Sequence, residues 1–336
     1  MPINSYALQY SNVTPSQIID ANLDLFITEG GPGTDFAASA ISPDDLQQIQ
    51  DSGTRVMAYV NVAVTDDSRP YWDAAWTMDG SDTGEITDAA PAWLGDQPSN
   101  EFGRIVDFTD PDWQAIVIDQ AVELVQSGFD GVFLDDFAQY FASGVTPLSI
   151  PQQATAMMQF AIDIDQAVRQ VNPDAALIVN GSPFVVTDAV GGADSQTSVQ
   201  FLEALDGMLL ENSFGINGVE QTAAIQQAQN FILPFTDVLA LESGGSSAEN
   251  FAFESEAREI GFVPFSALDA SYSAFGNPPV DSDGDDGGFD ALLPAGFFDF
   301  LDGDLDDAFT VDADGLPIEA ANDDQAVLQT DDDLLL

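Results

Sequence analysis

The groups in this sequence able to do chemistry are acids that end apolar runs. Val132-Phe133-Leu134 ends at Asp135 and Asp136, Met208-Leu209-Leu210 at Glu211, Leu239-Ala240-Leu241 at Glu242, and the stretch LDLFITE at Glu29. Runs of that kind must be buried, and an unpartnered carboxylate at the end of one is costly. These acids therefore differ from those that merely solvate a surface. The chain has no histidine, cysteine or lysine, so imidazole and thiolate chemistry, thiolate metal sites and disulfides are excluded, and proton transfer falls to Asp, Glu or Tyr. Two carboxylates flanking a bond suffice for glycoside hydrolysis, one donating a proton and the other acting as nucleophile or base. Phosphate-handling barrels usually offer positive charge and glycine-rich loops, which are scarce here, so sugar is the better substrate class.

The charge balance narrows the partners further. Fifty-eight acids stand against 5 basic residues, for a net charge of −53. Such a surface repels nucleic-acid phosphates and anionic lipid, and attracts metal ions or a polycationic polymer. Adaptation to high salt explains the same charge, and the two readings can coexist. No apolar run approaches the length of a membrane span.

The elements that must position the acids follow from periodicity and capping. Thr14-Pro15, Ser42-Pro43 and Asp110-Pro111 each place a capping residue before proline, a helix-start signature. Strands are expected at Tyr6 to Tyr10, Leu23 to Glu29, Arg55 to Asn61, Gly131 to Asp135, Ala176 to Asn180, Gly207 to Glu211, Val238 to Glu242 and Gly261 to Ser266. Helices are expected from Thr14 to Asn22, Pro43 to Asp51, from Trp113, from Pro151 to Val171, and from about Val219 to Phe231 and Ala248 to Ile260. Eight short apolar strands alternating with helices predict an α/β fold, a (β/α)8 TIM barrel over residues 1–275. Active sites of that fold lie at the carboxyl ends of the strands, where the acids stand. If the strand runs through both Asp135 and Asp136, alternation turns them to opposite faces and only one can meet the barrel mouth.

A polar and aromatic insertion, Asp66 to Phe102, carries Arg69, Trp72, Trp76 and Trp93. Long loops inside compact domains are usually functional or disordered, and tryptophans argue against disorder. Residues 276–336 form an acidic, Asp-rich C-terminal extension. Its runs Asp281 to Asp286 and Asp302 to Asp307 invite calcium, although Asp286 and Leu292 stand where an EF-hand starting at Asp281 needs glycine and glutamate. No other cofactor and no metal at the strand ends is expected.

Several stretches together resemble glycoside hydrolase family 114: GFDGVFLDDFAQY, RIVDFTDPDWQ, RVMAYVN with RPYW, ALIVNGS, and LDGMLLENSFG, in order, over about residues 5 to 270. The family is associated with endo-α-1,4-polygalactosaminidase activity. By position, the resemblance puts the strand-four acid on Asp135 and the strand-six acid on Glu211 as catalytic pair, with their separate roles open. It implies Tyr10, Tyr59, Asn180 and Asn212, with Glu29 and Glu242, as substrate-binding groups. Packing is favoured over sugar stacking for the tryptophans, and buried ion pairing, with Asp107 or another acid, for Arg69 and Arg104. The chain departs from many members in having Val179, not lysine, before Asn180.

The implied partner is an amino-sugar polysaccharide, and a deacetylated galactosamine polymer is cationic, which an acidic cleft would concentrate. The amino terminus lacks the pattern of a secretory leader, while the terminal DDDLLL resembles the uncleaved signal of type I secretion cargo. Together these lead to an expectation of extracellular location reached through type I secretion machinery, with the cytoplasm of a halophile as the alternative. A second functional reading is a noncatalytic secreted carbohydrate-binding or surface-assembly protein on the same barrel.

Overall fold

The computed structural model describes residues 2–29, 41–95, 103–141, 146–216, 218–268 and 272. Eight parallel strands run in sequence order: β1 (Tyr6–Leu8), β2 (Leu25–Thr28), β3 (Arg55–Asn61), β4 (Gly131–Asp135), β5 (Ala176–Asn180), β6 (Gly207–Glu211), β7 (Asp237–Ser243) and β8 (Val263–Ala267). Each pairs with the next. The first and last strands close on one another: the Tyr6 ring lies 5.5 Å from that of Phe265, and the Tyr10 N–H donates to the Tyr272 carbonyl at 2.9 Å. The architecture is a (β/α)8 barrel. Strands buried on both faces read as continuous apolar runs, which is why VFL, LIV and MLL are strands here.

The helices are α1 (Pro15–Ala21), α2 (Pro43–Asp51), α3 (Pro111–Gln126), α4 (Ile150–Val171), α5 (Gln196–Ala204), α6 (Thr222–Phe231) and α7 (Ser247–Glu259), with a single turn at Val185–Asp188. Capping works as the sequence suggests. Gln17 N–H donates to Thr14 Oγ1 while Gln17 Oε1 accepts from the Thr14 N–H, closing a capping box. Ser42 and Asp45 do the same for α2, and Asp110 accepts from the Asp112 N–H to start α3. No helix was expected between β5 and β6. There α5 begins at Ser195, whose hydroxyl accepts from Ser198 N–H, and buries only Ser198, Phe201 and Leu202. So short a stripe, on Gln, Thr, Ser and Val, gives a weak helical signal.

Aspartates at the amino ends of strands fasten the opposite face of the barrel. Asp130 Oδ2 accepts from the Val56 N–H of β3 at 2.8 Å. Asp206 accepts from Leu177 of β5 at 2.9 Å, and Asp237 from Ile3 at 2.8 Å. Arg169 clamps Asp206 to Asp165 of α4. These acids satisfy backbone donors rather than solvating a surface.

Between β3 and α3 the insertion starts with Val64–Thr65 pairing antiparallel to Arg104–Ile105. Its tryptophans form a stepwise cluster, Trp72 on Trp76 at 5.3 Å, Trp76 on Trp93 at 5.3 Å and Trp93 on Trp113 at 4.9 Å. Trp113 is fully buried and donates to the Val62 carbonyl at 2.8 Å, so the series anchors the insertion to the barrel. The acidic runs and extension of 276–336, with the calcium and secretion readings they carry, lie outside the described residues.

Gly131 and Gly207 both open strands, but their surroundings differ. A Cβ on Gly131 would sit 2.1 Å from the Ala176 carbonyl oxygen, whereas one on Gly207 would find no atom nearer than 3.5 Å. Gly131→Ala is expected to cost about 3 kcal/mol or more in denaturant unfolding, the range of a forced overpacking or worse, and Gly207→Ala about 1 kcal/mol or less. Equal costs at the two positions would contradict the close approach of β4 and β5.

Candidate active site

Four adjacent strands end in a polar residue at the same barrel rim: β3 in Asn61, β4 in Asp135, β5 in Asn180 and β6 in Glu211. All four are half-buried. The Asn180 side-chain nitrogen donates to Asp135 Oδ1 and to Glu211 Oε2, each at 2.9 Å. Two oxygens on one nitrogen can be no farther apart than twice that distance, so the pair chosen in the sequence meets across a single amide. Asn180, expected among the sugar-binding groups, spends both side-chain hydrogens on the carboxylates.

Each acid has further donors. Tyr59 and the Asp136 backbone N–H lie beside Asp135 and favour its charged form, and Glu211 Oε1 receives the Tyr272 hydroxyl. Burial pushes the Asp135 carboxyl up, and the Asp136 N–H, Tyr59 and Asn180 draw it back. Burial also pushes Glu211 up, the negative charge of Asp135 and of Glu242 adds to that push, and Tyr272 and Asn180 oppose it. The neighbouring phenols of Tyr10, Tyr59 and Tyr272 are pushed well above their ordinary range, first by burial and then by the nearby acids, so each keeps a hydrogen it can donate. Tyr10 packs edge-on against Tyr59 at 5.0 Å and Tyr272 at 5.6 Å, forming an aromatic wall beside the pair.

Asp136 lies beyond the strand. Its φ of 59° is left-handed, so the alternation rule no longer governs it, and its carboxylate accepts from the Asn61 side chain. Glu29 is buried and ion-paired with Arg69, which also binds Asp66 at 2.8 Å and lies over the Tyr59 ring, 5.7 Å from its centre. Arg69 is thus the buried ion-pair partner expected of it. Arg104 instead donates to the carbonyls of Gly84 and Gly95, because the insertion folds its own backbone around the guanidinium.

Glu242 is fully buried, and its Oε1 accepts the Phe214 N–H at 2.5 Å, pinning the loop after β6. Asn212 is left-handed at φ 51°, and its carboxamide is closed off from solvent without a hydrogen-bond partner. Asn61 and Tyr272 are the site residues that sequence reasoning missed. Asn61 carried the same signal as the acids, a polar residue ending an apolar run, but it does not titrate. Tyr272 follows the last strand and no local pattern marks it.

A family model for glycoside-hydrolase family GH114 matches residues 27–198. A Thermotoga maritima protein described as uncharacterized is 26% identical over 282 residues, 80% of this chain and 81% of that protein. Another such protein, from Methanocaldococcus jannaschii, is 24% identical over 220 residues, 64% of this chain and 58% of its own length. In fold, the chain is similar to the glycoside hydrolase domain of PelA from Pseudomonas aeruginosa, with TM-score 0.58, 18% identity and coverage of 83% of this chain and 100% of that one. It is also similar to Ega3 of Aspergillus fumigatus, solved in complex with galactosamine, with TM-score 0.59, 11% identity and coverage of 81% and 94%.

The upward push on Glu211 has a consequence for stability. A carboxyl whose folded value lies above its unfolded one favours the folded state while protonated and penalises it once ionised. The contribution is present below the unfolded value of about 4.3 and is lost as pH rises through the folded value. Glu211→Gln removes the penalty. Its melting temperature should exceed that of the wild type at pH 7 by about 2–4 °C, the shift that roughly 1 kcal/mol produces in a large domain. The difference should close below about pH 4, and a gap independent of pH would contradict the assignment.

Proposed function

The chain belongs to glycoside-hydrolase family GH114, and we propose that it cleaves a galactosamine-containing polymer by a retaining double displacement in which Asp135 is the nucleophile and Glu211 the acid and base. The observation that carries this reading is the single Asn180 amide between the two carboxylates. Retaining glycosidases hold their carboxyl groups about 5–5.5 Å apart, and inverting ones about 6.5–9.5 Å apart to admit a water. Oxygens that share one donor at 2.9 Å each fall on the retaining side.

The surroundings divide the roles. Two acids so close take up the first proton as a pair. Both acids have neighbours that favour the charged form, Asp136 N–H, Tyr59 and Asn180 at Asp135 and Tyr272 and Asn180 at Glu211, each acid's charge disfavours charge on the other, and Glu211 also has the negative charge of Glu242 against it. On this reading the shared proton resides on Glu211. In the first step Glu211 protonates the glycosidic oxygen as its bond to the anomeric carbon breaks, and an Asp135 oxygen forms the new bond to that carbon. In the second, ionised Glu211 takes a proton from water, whose oxygen attacks the same carbon and releases the Asp135 carboxylate.

For the substrate, three supports converge. The family is associated with polygalactosaminidase activity, the Ega3 neighbour was solved with galactosamine, and a net charge of −53 attracts a cationic polymer.

Incubation with α-1,4-linked galactosamine polymer is expected to release reducing ends, and Asp135→Asn and Glu211→Gln are each expected to lower the rate about 10²–10⁴-fold, the range for a lost acid or base. Proton NMR of the first product should show the anomer present in the substrate. The opposite anomer would reject retention, and a wild type inert on every galactosamine polymer would reject the substrate assignment.

A further inference from the structure

Asn61 touches neither carboxylate of the pair, yet every hydrogen-bonding position of its side chain is committed. Its Oδ1 accepts from the backbone N–H groups of Ala63 at 3.1 Å and Val64 at 2.7 Å. Only an oxygen can accept two backbone donors, so they fix which end of the amide faces them. The nitrogen end then faces Tyr59 and Asp136. One hydrogen goes to the Tyr59 hydroxyl oxygen at 3.0 Å and the other to Asp136 Oδ2, a carboxylate oxygen that can only accept. The orientation is therefore set from both sides, and no donor or acceptor is left over for a sugar.

A tyrosine hydroxyl has one hydrogen. Because the Tyr59 oxygen already receives a hydrogen from Asn61, its own is left to turn to the Asp135 carboxylate, the acid whose charge bears most on that hydroxyl. The ring is held in place by Arg69 over its face and Tyr10 at its edge. β3 and β4 stand in register with Asn61 opposite Asp135, so the path from the Ala63 and Val64 backbone through Asn61 and Tyr59 to Asp135 crosses one strand boundary.

We infer that Asn61 is a positioning residue for the hydrolytic site, orienting the Tyr59 hydroxyl so that it donates to the Asp135 carboxylate and to no other acceptor. The inference rests on the reading of Asp135 as nucleophile. A donor to a charged group favours its charged form, so the device keeps Asp135 ionised while Glu211 holds the proton. An acceptor at position 61 would compete for the Tyr59 hydrogen and release Asp135.

The test is a cycle of four full-length proteins: wild type, Tyr59→Phe, Asn61→Ala and the double variant. If Asn61 acts through Tyr59, each single change lowers kcat/KM about tenfold or more, the range for a lost hydrogen bond to a charged group. The double variant should then fall within about twofold of the worse single one. The acid limb of the pH profile should move upward in all three. Single losses that multiply, or an acid limb unmoved in Asn61→Ala, would overturn the inference. Carbon-13 NMR titration of the Asp135 carboxyl in the same proteins reads the effect without turnover. A wild type without activity would thus sink the hydrolytic reading, whereas an Asp135 titration unchanged by Asn61→Ala would sink this one. Should Asn61→Ala fail to fold for want of an acceptor for Ala63 and Val64, Asn61→Asp keeps that oxygen and replaces the donor with a second, negatively charged acceptor. It should then leave Tyr59→Phe with almost no further effect, and an additional tenfold loss would count against the proposal.

Discussion

Two carboxylates that share one amide donor repel each other, and they do so in surroundings that disfavour charge on either. Water would separate them. The barrel holds them together by placing each at the end of a strand whose register is fixed, Leu134 of β4 beside Val179 of β5 and Asn180 beside Leu209 of β6. The backbone positions are set by the sheet, and the sheet is set by buried apolar runs that cannot slip by one residue without turning their side chains to the other face. Asn180 then supplies one hydrogen to each acid, which a hydroxyl, with its single hydrogen, could not do.

The scarcity of positive charge makes this arrangement more than a local one. With 5 basic residues in the chain, few acids can be neutralised by pairing. Arg169 and Arg258 are committed to acids away from the rim: Arg169 to Asp165 and Asp206, and Arg258 to Glu254. Arg69 comes nearest the pair, but it is already bound to Glu29 and Asp66. Neutral donors do the remaining work, with Tyr59, Asn180, Tyr272 and backbone N–H groups in the place of cations. A neutral donor favours ionisation without adding net charge, so it can be distributed unequally between two neighbouring acids. A cation would act on both.

Much of this was legible in the sequence because strand ends leave a compositional mark. VFLD, LIVN and MLLE announce a buried run and the polar residue that leaves it, and the barrel rule says where that residue points. The eight strands were legible for the same reason. What escaped lacked such contrast. The helix at Gln196–Ala204 buries too short a stripe to be seen, and Tyr272 reaches Glu211 from beyond β8, a contact made by barrel closure rather than by local pattern. The meaning of Glu242 was equally invisible. Its position at the end of an apolar run matched that of Glu211, but its carboxylate turns to the Phe214 N–H of the following loop, and only the path of the β6–α6 loop decides that.

Aspartate serves both ends of this barrel, and it does so in two different ways. Asp130 and Asp206 accept backbone N–H groups of neighbouring strands and so complete the sheet. Asp135, by contrast, shares its amide donor with Glu211. Sharing couples the two titrations: the proton that leaves one acid changes the cost of charge on the other. An acid that only satisfies a backbone donor has no reason to exchange protons during a reaction. A coupled pair does, since bond breaking in the substrate shifts charge onto one member and makes protonation of the other easier or harder. On the proposed reading, the chemistry depends less on the abundance of acids in this chain than on the place where Asp135 and Glu211 are made to share a donor.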